Sequence, residues 1–159
     1  MARVELDLSP LPSHVRTARL IVVAAARRAG LPDELVDELR LAVGEASARA
    51  VGLHQQHAPG TPVVLSVTDE PRLLTVTVTD RGPAASRQPG DVAEVLWDLS
   101  ESGPNDLVDP DVALYVLAGL VDDCSVDATP SGTTVTLRWP LPASNGPVGV
   151  PSTQAAERD

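Results

Sequence analysis

The sequence has no Phe and no Lys, one Tyr, one Cys and two Trp among 159 residues. Without Phe, the core has to be built from aliphatic side chains. Without Lys, all 12 basic residues are Arg. That bias, with abundant Ala, Val, Pro and Gly, reflects high-GC coding more than physics. A single Cys124 excludes an internal disulfide, and its apolar flanks predict a small buried residue. There is no basic excess: the net charge is −10 at pH 7. This argues against nucleic acid as the main partner, because phosphate binding needs a basic face. It suits a basic protein partner and disfavours a polyphosphate ligand that lacks a local cradle. No apolar run reaches membrane-spanning length and no signal peptide opens the chain, so a soluble cytoplasmic protein is expected.

What is present is enough for one domain with a proper core, since 43% of the residues are hydrophobic. The organising stretch is Leu35 to Leu53. Leu35, Leu39, Ala42, Val43, Ala46 and Ala50 recur at the spacing of one buried helical stripe. Pro32 suits the first turn, and Asp33 and Glu34 sit at the positive end of the helix dipole. Glu45 stands beside the stripe with Arg49 four residues on. As residues alone, they read either as a solvated i,i+4 ion pair or as a site group and its neighbour.

Before this helix, Arg3 to Leu8 alternates as a short strand. Ser13 is the expected N-cap of a helix from His14 to Ala29 that Gly30 stops. Val15, Leu20, Ile21 and Val22 are its expected core positions, and Arg16, Arg19, Arg27 and Arg28 its solvated ones. Gly52 to Pro62 reads as a loop that solvates His54 and His57. Val63 to Thr68 and Arg72 to Thr79 form a hairpin; Val63, Leu65 and Val67 share one face, and Leu74, Val76 and Val78 share another, with Thr75, Thr77 and Thr79 opposite. Asp80-Arg81-Gly82-Pro83 ends the second strand, as an ordinary turn would. A short helix from Asp91 to Leu99 carries Trp97. A helix from Pro110 to Val121 turns Val112, Ala113, Val116, Leu117 and Leu120 inward. Cys124 to Asp127 and Thr133 to Trp139 are strands around the turn at Ser131-Gly132. Residues 1–140 read as one domain and 141–159, rich in Pro, Ser, Gly and Ala, as a flexible tail. The order of elements predicts an α+β two-layer sandwich, with a largely antiparallel sheet and helices on one face.

In this order, "AGLPDELVDELRLAVGEA", "DRGP" and "SGTTVTLRWPL" resemble the anti-sigma-factor serine/threonine kinases of bacterial partner switching. These belong to the GHKL ATPase superfamily with its Bergerat nucleotide fold. The resemblance covers roughly residues 3 to 140. It implies a protein that binds a sigma factor, and that binds and phosphorylates a small anti-anti-sigma protein of the STAS type with ATP and Mg²⁺. It also implies a homodimer.

Carried over residue by residue, the resemblance makes Glu45 the candidate base of an E-x-x-x-N motif, but Arg49 stands where Asn would hold Mg²⁺. Arg is only a donor and always cationic, so it cannot ligate the metal; it is expected to pair with Glu45 and blunt it. In D-x-G-x-G, Asp80 and Gly82 match the residues that hold adenine, while Ala84 replaces the last Gly. In the G-x-G that opens the helix after the lid, Asp111 and Ala113 replace both glycines, and Pro110 removes an amide donor. Asp109 and Asp111 place negative charge where a triphosphate would lie. Gly132 and Thr133 keep the last motif, and serve equally well as a turn leading into a strand. Three of four features depart toward loss of Mg²⁺ and phosphate. The expected function is therefore a partner-switching regulator that binds a sigma factor, a STAS protein or both, with lost or much reduced ATP binding and kinase activity. The alternatives are an active protein-serine kinase and a non-catalytic subunit of an intact paralogue. Arg16, Arg19 and Trp97 are the expected partner contacts.

Overall fold

The computed structural model describes residues 1–83 and 110–143. Among these residues, five strands and three helices follow one another: β1 (Ala2–Leu8), α1 (Pro12–Ala29), α2 (Asp33–His57), β2 (Val63–Glu70), β3 (Leu73–Thr79), α3 (Pro110–Leu120), β4 (Asp123–Thr129) and β5 (Gly132–Pro140). The strands form one sheet in the order β1-β2-β3-β5-β4, and every pairing is antiparallel. The expected α+β architecture is the one found. Among the described residues, no helix is long and apolar enough to cross a membrane.

Strand alternation sets the core. The registers align Leu6, Leu65, Val78, Val135 and Val126 across all five strands, and next to them Val4, Val67, Val76, Leu137 and Cys124. Leu65, Val67, Val76, Val78, Val135 and Leu137 are fully buried under the helices. The opposite face carries hydroxyls that bond across strands, Ser66 to Thr77 at 2.6 Å and Thr79 to Thr134 at 3.1 Å. Cys124 ends a core row on the edge strand, so it is half-buried rather than enclosed.

α2 is the central helix, between the sheet, α1 and α3. The predicted stripe of Leu39, Ala42, Val43, Ala46 and Ala50 is buried. Trp139 of β5 reaches it, its indole N–H donating to Glu38 Oε1 at 2.8 Å. Gly30 closes α1 in the left-handed region at φ 87°, where the amides of Gly30 and Leu31 donate to Arg27 and Ala26. Glycine is the residue for which that conformation carries no steric penalty.

Several local expectations are corrected. α1 begins at Pro12, and its cap is Leu11 without a side-chain bond, so Ser13 is not the N-cap. Proline needs no amide partner in the first turn, and its ring sets φ for the helix. Leu20 is 66% exposed instead of buried, because it lies on the outward side of α1 while Val15, Ala18, Val22, Val23 and Ala26 form the inner one. α2 does not stop at Gly52 but runs through His54 to His57. In α3 the buried positions are Leu114, Tyr115 and Leu117, while Val116 is exposed and Val112, Ala113 and Leu120 are half-buried. A helix with no charge from Val112 to Leu120 gives no clue to which side faces in. The predicted helix from Asp91 to Leu99 and the predicted tail beyond residue 143 lie outside the described residues. Leu141 still belongs to the packed body: it is buried, and its N–H donates to Arg72 O at 2.9 Å.

Candidate functional site

The sheet order makes β3 and β5 neighbours, although some fifty residues separate them. Asp80-Arg81-Gly82, leaving β3, therefore lies against Gly132-Thr133, entering β5. Asp80 N–H donates to Thr133 O at 2.9 Å and Thr133 N–H to Asp80 O at 3.2 Å, continuing the ladder one residue past the strand. Gly132 sits at φ 144°, and a Cβ there would collide with the carbonyl oxygen of Asp80. Only glycine suits that approach. Gly82 N–H donates to Asp80 Oδ1 at 2.9 Å, which folds the turn back onto its own carboxylate.

The C-terminal half of α2 supplies the other wall. Arg49 Nη1 donates to Asp80 Oδ2 at 2.7 Å, and both side chains are 1% exposed. This corrects the expected i,i+4 pair. Arg49 reaches across to the strand exit instead of back along the helix to Glu45. Glu45 is half-buried and makes no short ion pair among the described residues. A short, desolvated link between guanidinium and carboxylate is among the stronger hydrogen bonds a protein makes. Removing Arg49 would leave the buried Asp80 carboxylate without its opposite charge.

His54, one and a half turns further along, is fully buried, which corrects its expected place in a solvated loop. Its Nε2 accepts from Arg81 N–H at 2.8 Å, and its Nδ1 lies 2.7 Å from Thr61 O. An amide can only donate and a carbonyl can only accept, so the ring is neutral with its proton on Nδ1. The imidazole thus ties the start of β2 to the exit of β3. The signal was present in the sequence: Val43, Ser47, Ala50 and His54 fall at i, i+4, i+7 and i+11, continuing the buried stripe past Gly52. Arg49 was harder to read, because the nearby Glu45 offered a local partner and Asp80 is 31 residues away.

The remaining candidates are scattered. Ala113 is half-buried on α3, and Asp111 lies in its first turn. Trp97 and Ala84 lie outside the described residues. Arg16 and Arg19 are on α1, away from the Arg49–Asp80 pair, on the groove between α1 and α2. Arg19 is half-buried, and its guanidinium lies on the backbone of Gly44, where any Cβ would overlap it. Two surface cavities share Arg16 and Arg19: one of ≈ 340 Å³ reaching Val51 and Gln55, and one of ≈ 260 Å³ reaching Leu20, Val23, Arg27 and Arg40.

The described residues do not fit a magnesium ion. Where the resemblance asks for an oxygen ligand there is a buried guanidinium, and no three His, Cys, Asp or Glu side chains cluster among the described residues. Asp80 is 2% exposed, and each of its oxygens already accepts from a donor of the chain itself.

The comparisons agree with the fold. No curated protein matches the sequence significantly. A crystal structure of the RsbU and RsbW domains of Rv1364c from Mycobacterium tuberculosis is similar, with a TM-score of 0.60 and 18% identity. The alignment covers 90% of this chain and 34% of that one, so this chain spans about a third of that neighbour, and the likeness is one of fold. The model of the histidine kinase-like ATPase domain (HATPase_c_2) matches residues 8–139, nearly all of the five-stranded body. The chain belongs to the histidine kinase-like ATPase domain family.

Proposed function

We propose that this protein is an anti-sigma-type partner-switching regulator, acting in the cytoplasm by occluding a sigma factor, a STAS-type protein or both, with ATP binding and phosphoryl transfer lost or much reduced. The observation that carries the reading is the buried Arg49–Asp80 pair. It puts a fixed cation at the motif position that would hold Mg²⁺, and it occupies the carboxylate that would read adenine. The fold, the order of the motifs and the RsbW-domain neighbour support the regulator class. The regulatory domain runs from residue 1 through the buried Leu141, one residue past the expected boundary at 140, and the residues after it are its tail.

The α1–α2 groove supports a protein-facing role. Arg16, Arg19, Arg27 and Arg40 surround the apolar positions Leu20 and Val23 in a chain that is otherwise strongly acidic. A partner segment with acidic residues around an apolar anchor suits that face, with charge favouring encounter and the anchor favouring residence. The reading is tested by measuring complex formation with sigma and STAS proteins encoded near this gene, with and without ATP and Mg²⁺. Complexes whose affinity ignores nucleotide, and falls at least tenfold with Arg19→Glu, support it. Phosphorylation of a STAS serine would move the kinase alternative into first place, with Glu45 as its candidate base.

A further inference from the structure

We propose that Arg49 is a built-in ligand. Its guanidinium fills a closed site for a planar, cationic amino donor whose acceptor is Asp80, and this occupancy holds the exit of β3 against α2. A carboxylate and a guanidinium that are both 1% exposed have exchanged water for each other, and the exchange is tolerable only where geometry is good and the remaining polar atoms have partners. Asp80 meets that condition: Arg49 serves Oδ2 at 2.7 Å, the amide of Gly82 serves Oδ1 at 2.9 Å, and its backbone is paired with Thr133. The cluster is thus complete on the acceptor side without any bound molecule.

One polar group beside the pair is left over. Thr133 shares the helix-facing side of the ladder with Asp80, is 1% exposed, and its hydroxyl makes no hydrogen bond among the described residues. An arginine tethered to the central helix reaches this place at no translational cost, so it excludes any free competitor for the same carboxylate. The site rests on the same Arg49–Asp80 pair that carries the regulator reading. The two fail separately, because rescue reports what fills the site and the partner experiments report complex formation.

The test is chemical rescue. Arg49→Ala removes the guanidinium and leaves its space beside Asp80. Its melting temperature should fall by roughly 10 °C, as expected when a buried pair loses one member in a chain of this size. Methylguanidinium chloride at low millimolar concentration should then raise it by roughly 3 °C through binding to the folded state alone. The wild type, whose site is filled, should not respond, and neither should Arg49→Ala with ammonium chloride at equal ionic strength. An Arg49→Ala protein as stable as wild type overturns the proposal. So does a destabilised one that methylguanidinium does not rescue, or that ammonium rescues equally. If Arg49→Ala does not fold, Arg49→Gln decides. Gln keeps a planar N–H donor and most of the volume, so it should fold with an intermediate melting temperature and show no methylguanidinium response. An unfolded Arg49→Gln protein contradicts the donor-site account.

Discussion

At the scale of single residues, the motif glycines and Asp80 have a structural purpose that stands without a nucleotide. Gly132 is required by the approach of two backbones, since its Cβ would meet the carbonyl of Asp80 and its φ of 144° is closed to other residues. Gly132→Ala should therefore cost about 3 kcal/mol in a urea melt, combining steric overlap with a disfavoured backbone conformation. A loss under 1 kcal/mol would show that the β3–β5 junction is looser than described. Cys124 makes a second residue-scale case. Its thiol pKa is raised, first by burial and then by the Asp123 carboxylate beside it, with Arg138 opposing. Asp123→Asn removes a charge that disfavours the thiolate, so the thiol should react faster with a disulfide reagent at pH 8. An unchanged or slower rate would mean that burial alone governs this thiol.

At the scale of elements, α2 links the core to both candidate sites. One side carries the small residues that let it lie on the sheet, Arg49 and His54 reach to the β3 exit, and Gly44 supports Arg19 of α1. Gly44→Ala separates these duties. Alanine improves helix propensity by about 1 kcal/mol, while the displaced group is the flexible end of Arg19, so net stability should change by less than about 1 kcal/mol. Affinity for a partner that docks on the α1–α2 groove should nevertheless fall about tenfold, because the guanidinium moves without any loss of charge. Unchanged affinity would remove Arg19 from the interface.

Elements also show what a sequence discloses. The strands were legible because period-two alternation survives intact: Leu74, Val76 and Val78 face in, and Thr75, Thr77 and Thr79 face out. The α2 stripe was legible for the same reason at helical period. The end of α2 was not, because Gly52 and two histidines look like loop chemistry, and only the long-range bonds of His54 outweigh the local preference. The inward side of α3 was hidden by its uniform apolarity, and Leu20 was misplaced by a stripe that offers two apolar sides. The Arg49–Asp80 pair was illegible in principle from local spacing, since it depends on β3 lying beside β5 under α2. The list of motif positions was readable; their joining into one buried polar cluster was a property of the topology.

At the scale of the molecule, the sheet order brings the Asp80-Gly82 and Gly132-Thr133 motifs together beside Arg49 of α2, where Arg49, Asp80 and Gly82 bond to one another. The net charge of −10 is opposed locally by the arginines on the α1–α2 face, which gives the protein a polarised surface suited to a charged protein partner. α2 therefore carries two duties, the bonds of Arg49 and His54 to the β3 exit on one side and an open basic groove along the side facing α1. The most direct test of the central claim is a calorimetric titration of the purified protein with ATP, run with and without Mg²⁺ and paired with a thermal-shift measurement. The account predicts no Mg²⁺-dependent heat and a shift of less than about 1 °C at millimolar nucleotide. Micromolar, Mg²⁺-dependent binding would contradict it, because it would require Asp80 to leave Arg49 and a metal to find ligands that the described residues do not bring together.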